Sequence, residues 1–147
     1  VCAVPGPQSD SAFAPPTVKA TAVLVVPDEH ETLGPGLWIF RDVDAVNLRE
    51  QTIWSVATLR SVSGEVVGAA EGWDDWRSTE GGFYSAASDT VLYDDSSWTP
   101  FRAFVPFRAL ALEPGVHRVV LRSQVSVSNL GGANELELDL TIPELSR

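Results

Sequence analysis

From Thr17 onward the chain alternates apolar and polar residues with a period of two, the spacing of a half-buried β-strand. Val18, Ala20, Ala22, Leu24 and Val26 fall on one face of a first strand, opposite Thr17, Lys19 and Thr21. Pro27-Asp28-Glu29 is expected to end that strand, and Gly34-Pro35-Gly36 breaks the chain before the next. A second strand is predicted from about Leu37 to Val43, where both alternating sets are apolar: Leu37 and Ile39, Trp38 and Phe40. A third, from Gln51 to Val62, alternates Trp54 and Val56 with Ser55 and Ala57, and the turn at Gly64 returns Glu65 to Ala70 as its hairpin partner. Trp38 and Trp54, set within strands, are expected in the core.

Residues 71–99 break the rhythm, and only one or two short strands are expected there between long loops. Order returns at Pro100, where Phe101, Ala103, Val105 and Phe107 form an apolar face and Pro106 marks an edge or a strand end. Val116 to Val127 alternates again. The last strand is the clearest, with Leu136, Leu138, Leu140 and Ile142 on one side and Glu135, Glu137 and Asp139 on the other, so that the acidic side is wet. No helical period of about ten residues or more interrupts this. The fold class that follows is all-β: an antiparallel sandwich of two sheets, immunoglobulin-like or C2-like, with about seven or eight strands.

Residues 1–16 carry four of the ten prolines and no period, so they read as an extended leader ahead of a single sandwich domain over residues 17–147. Such an arm is expected to be held by its own domain or by a neighbour. The sequence contains no methionine, which points to a processed product or a fragment. Its single cysteine, Cys2, excludes an internal disulfide. Cys2 lies near the place of a bacterial lipid anchor, although Val1 precedes it; an anchor there would tether the protein to a membrane without spanning it. No apolar run reaches the roughly 18–20 residues of a membrane-spanning helix.

Charge narrows the partners. The net charge is −10 and Lys19 is the only lysine, which argues against nucleic acid, because its phosphates need clustered cations. A protein partner or a neutral glycan suits such a surface better. No cofactor is called for, with calcium the one ion considered.

Catalytic chemistry finds little to stand on. The only histidines are His30, which sits among acids, and His117, which is expected to bond across a hairpin and not to act as a catalytic base. No phosphate-cradling glycine loop and no zinc motif occurs. Asp74, Asp75, Asp94 and Asp95 could supply hard oxygens to calcium if their loops converge, and the same acids, together with Asp42 and Asp44, are the candidates for the acid and base of a hydrolase. Asp42-x-Asp44-x-x-Asn47 lacks the glycine and closing glutamate of a calcium loop.

Five tryptophans are many for 147 residues. Trp73, Trp76 and Trp98, with Tyr84 and Tyr93, fall in or beside the irregular section, and are the candidate contact residues for a partner or ligand. Rings there stack on sugars or anchor a protein interface; packing over the end of the sandwich is the plainer use.

The stretch Trp-x-x-Phe-Arg-x-Phe-Val-Pro-Phe-x-x-Leu-x-Leu-x-Pro-Gly-x-His-x-Val, from Trp98 to Val119, resembles a bacterial β-sandwich module without an established family name. The Gly64 turn and the loop from Trp76 to Tyr84 fall where that module carries a turn and an aromatic-glycine loop. The resemblance implies a sandwich in an exported or modular bacterial protein, located in the periplasm, on the cell surface or outside the cell, and no reaction. The favoured reading is a non-enzymatic structural or interaction subunit docked on a larger assembly through its leader and aromatic loops. A carbohydrate-binding module using Trp73, Trp76 and Trp98 is the alternative, and a small hydrolase with an acidic site is the third.

Overall fold

The computed structural model describes residues 4–5 and 15–144. Eight strands follow in chain order: β1 (Val4–Pro5), β2 (Thr17–His30), β3 (Gly34–Val46), β4 (Thr52–Ser61), β5 (Tyr84–Thr90), β6 (Asp95–Pro106), β7 (Gly115–Val127) and β8 (Leu130–Ile142). They form two antiparallel four-stranded sheets, ordered β1-β6-β3-β2 and β5-β4-β7-β8. Short turns close the β2–β3 and β7–β8 hairpins, while the β3–β4, β5–β6 and β6–β7 connections cross between sheets. The predicted two-sheet sandwich is the fold.

Inward-facing side chains of both sheets make the core, in two clusters. One end of the sandwich, here the first end, is filled by Ile39, Leu59, Phe83, Val105, Leu121 and Leu140 among others. The second end is filled by Val43, Ile53, Val91, Trp98, Phe101 and Val125. A polar waist separates them. Arg41 reaches from β3 across the interior, 1% exposed, and donates to the Ser123 carbonyl at 3.0 Å, the Ser123 hydroxyl at 2.8 Å and the side-chain oxygen of Asn134. Its Nε is buried without a partner among the described residues. Burial draws its pKa below the ordinary arginine value, because the interior disfavours the charged form.

Bulges beside Arg41 decide which residues face in. Between Thr21↔Asp42 and Val23↔Arg41, β2 advances two residues while β3 advances one. On the other side of β3, β6 uses the three steps from Phe101 to Trp98 against two steps from Arg41 to Val43. Each extra residue reverses the alternation of its strand. β3 itself keeps its alternation, with Leu37, Ile39, Arg41, Val43 and Ala45 all buried.

Several expectations are corrected by this register. The even set on β2 does not stay on one face: Val18 and Ala20 pack on the core, but beyond the bulge Val25 does so, while Leu24 and Val26 are 59% and 37% exposed. Pro27-Asp28-Glu29 does not end β2, whose pairing with β3 runs on to His30. Trp54 lies on the outer face of β4 and is exposed, since Ile53, Ser55, Ala57 and Leu59 take the inward positions. β6 begins at Asp95, ahead of Pro100, because Asp95 to Trp98 already pair with β3. Pro106 closes that strand, as expected, and there pairs only with Gly36 of β3, since β1 reaches no further than Ser96 and Ser97. In β8, Leu140 and Ile142 are buried, whereas Leu136, on the same side, is more open towards the sheet margin.

Of the leader, Val4–Pro5 pairs with Ser96–Ser97 of β6. Cys2 and the rest of the arm through residue 14 lie outside the described residues.

Candidate functional site

The outer face of the β1-β6-β3-β2 sheet is divided. Towards the second end it is polar, with Lys19 opposite Asp44 and Thr21 opposite Asp42. Towards the first end it is aromatic and aliphatic. Cross-strand pairing places Val26 beside Trp38 and Trp38 beside Phe104; one row on, it places Leu24 beside Phe40 and Phe40 beside Arg102. Because paired residues project from the same face, these side chains share one surface.

The rings hold one another. Trp38 lies 4.9 Å from Phe104 and 6.5 Å from Phe40, and His30 lies 5.0 Å from Phe104. The guanidinium of Arg102 sits 4.8 Å from the centre of the Trp38 ring, a cation–π contact. The Trp38 indole donates to Asp28 Oδ2 at 3.0 Å. Gly36 makes the packing possible: a Cβ there would stand 2.2 Å from the Val105 carbonyl and 2.6 Å from the Phe104 ring. At the open side of this group, Leu24, Phe40, Asp42 and Pro100 border a hollow of about 300 Å³. This part of the sheet face thus has an aromatic base of packed rings with Leu24 and Val26 exposed at its margin.

The opposite outer face, of the second sheet, is mostly satisfied. Arg60 pairs with Glu135, and Arg118 pairs with Glu137 at 2.9 Å and Asp139 at 3.2 Å. The hydrogen bond from Arg60 holds the Glu135 carboxyl below its usual range, and the same bond raises Arg60. Trp54 stands clear of this ladder, beside Ser88 and Ser126.

The candidate contact residues drawn from the irregular section do not come together. Trp73 and Trp76 are half-buried over the first end, edge to face at 6.2 Å, with Trp76 stacked 6.1 Å from Phe83. Trp98 is fully buried in the second cluster and its indole donates to Asp89 at 2.9 Å, so it presents no surface. Tyr84 faces outward on β5, and Tyr93 lies in the β5–β6 loop at the second end. Trp38, expected in the core, is on the outer face; the bulky interior ring is Trp98.

The acidic candidates separate as well. Asp74 and Asp75 form a short 3-10 turn beside the first cluster, and Asp74 is paired with Arg77 at 2.7 Å. The Asp94 carbonyl bonds to Asn47 and Asp95 pairs with Val46, at the opposite end. The two loops do not converge, and no cluster of three or more metal-ligating side chains occurs among the described residues. His117 bonds locally, Nε2 to the Glu113 carbonyl at 2.6 Å, instead of across its hairpin. No helix among the described residues is long and apolar enough to cross a membrane.

Set against known proteins, the chain matches no family model, no curated protein and no solved structure.

The aromatic outer face escapes a reading of the sequence for a traceable reason. A bulge at residue 22 cannot be seen in a run where consecutive residues from Ala22 to Val26 are all apolar. The signal lay in β3: both of its alternating sets are apolar, and a strand of a two-layer sandwich needs only one of them for the core.

Proposed function

We propose that the protein is a non-enzymatic interaction subunit, working outside the cytoplasm, that docks on a larger protein assembly through the outer face of its first sheet. The observation that carries this is the run of exposed Leu24 and Val26 and partly exposed Trp38 and Phe40 on one sheet surface that no other element among the described residues covers. Contiguous apolar surface on a soluble domain marks a site of association, and tryptophan and arginine are the usual anchors of one. Asp28 and Asp42 lie on the same face, within a chain of net charge −10. The matching partner surface is therefore apolar at its centre and basic at its margin. The resemblance of the Trp98–Val119 block to an exported bacterial module supports the location.

Exchanging Leu24 and Phe40 together for serine should leave the thermal melt within a few degrees of the parent, since neither side chain is in the core. The same exchange should abolish recovery of the assembly that co-purifies with the parent from its own cells. Recovery at parental yield would reject the face as the docking site.

A further inference from the structure

We propose that a cavity at the first end of the sandwich, separate from the docking face, binds a neutral saccharide. It is open to solvent on one side, has a volume of about 680 Å³, and is lined by Trp73, Arg108, Glu71 and Glu113, with alanine side chains leaving the room between them. That volume is in the range of small-ligand sites, roughly 300–1,000 Å³.

The walls are rigid. Trp73 is fixed by its backbone bond to the Ala70 carbonyl at 3.1 Å and by the edge-on contact with Trp76. Arg77 clips the same loop by donating to the Ala69 and Ala70 carbonyls at 3.3 and 3.2 Å. Ala70 and Ala111 are tied to the facing segments by Ala70 N–H to the Ala109 carbonyl at 2.8 Å and Ala111 N–H to the Gly68 carbonyl at 2.9 Å. A site whose first contacts are held by such bonds loses little entropy on binding.

Its polar groups are left open. Arg108 forms no ion pair among the described residues, and its Nε is buried without a hydrogen-bond partner. Glu71 and Glu113 line the same space, and neither forms an ion pair with that guanidinium. Two carboxylates against one guanidinium, within an acidic protein, disfavour an anion. An organic cation would meet Arg108. A ring bearing hydroxyls suits all four groups: its apolar face lies on the indole, its hydroxyls donate to the carboxylates and accept from the guanidinium.

The test is an array of immobilised neutral mono- and oligosaccharides, followed by calorimetric titration of the sugars retained. At least one sugar should bind the parent and quench or shift its indole fluorescence. Arg108→Gln and Glu113→Gln should each weaken that sugar about tenfold with the melt unchanged, and Trp73→Ala should remove the fluorescence response. The Leu24→Ser/Phe40→Ser protein should bind it as the parent does, which keeps this site distinct from the docking face. Retention of no sugar, binding indifferent to Arg108→Gln and Glu113→Gln, or binding of a free amino acid in preference to every sugar would overturn the proposal.

Discussion

Truncating Trp98 to alanine is expected to destabilise the protein by about 3–5 kcal/mol, the range for removing a large aromatic side chain from a packed interior. Trp98 is fully buried in the second cluster, where it meets Phe101 edge-on at 5.8 Å and packs among residues drawn from both sheets. Its removal empties the middle of that cluster and leaves Asp89 without the indole donor it accepts from at 2.9 Å. Trp98→Phe should cost less, because it keeps part of the volume while losing the same hydrogen bond. Urea unfolding read by far-ultraviolet circular dichroism measures both. A loss for Trp98→Ala below about 1 kcal/mol would place the ring at the surface, as its neighbourhood in sequence suggests.

Arg41 gives the second large effect, and here the choice of replacement matters more than the loss of charge. The guanidinium crosses the polar waist to Ser123 and Asn134, both neutral, and no carboxylate among the described residues pairs with it. Desolvation of a buried charge then opposes its hydrogen bonds. Arg41→Ala is expected to cost about 2–5 kcal/mol, mainly through the void left by the aliphatic stem and head. Arg41→Met refills much of that volume with apolar atoms and removes the desolvation penalty, so it should fall within about 1.5 kcal/mol of the parent. The same unfolding experiment separates the two accounts. Equal losses for alanine and methionine would mean that the hydrogen bonds to Ser123 and Asn134, and not the filled volume, carry the contribution of this residue.

The strands that could be read from the sequence are those whose two faces differ. In β8 the carboxylates of Glu135, Glu137 and Asp139 alternate with leucines, and in β7 Arg118 and Arg122 alternate with Val119 and Leu121, so the period alone sets the inward side. β4 misled because tryptophan outweighs its neighbours in any hydropathy reading. Its true inward set, Ile53, Ser55, Ala57 and Leu59, is made of small and medium residues that fit between closely packed sheets. β2 misled because a bulge has no sequence mark of its own where apolar residues run together, whereas the alternation of Phe101, Ala103, Val105 and Phe107 marks the inward side correctly. β5 and the start of β6 hid among serines and aspartates, whose pairing is fixed by the strands beside them.

The candidate sites were less legible for a related reason. Proximity in sequence brought Trp73, Trp76, Tyr93 and Trp98 into one section, but β5 runs the length of the sandwich between them, from Tyr84 opposite Thr58 to Thr90 opposite Thr52. Trp73 and Trp76 therefore stay at the first end and Tyr93 and Trp98 go to the second. The cavity beside Trp73 needs Arg108 and Glu113, which come from beyond β6 and were assigned no role from the sequence. Long-range sheet pairing assembles both the aromatic outer face and the cavity, and no local motif encodes either.

The most direct measurement of the docking claim is site-specific photocrosslinking in the cells that make the protein. A benzophenone side chain placed at Leu24 or Phe40, on the aromatic face, should capture one partner in high yield. The same group at Val56, on the opposite outer face, should capture little. Equal capture from both faces, or capture from Val56 alone, would contradict an interface on the first sheet.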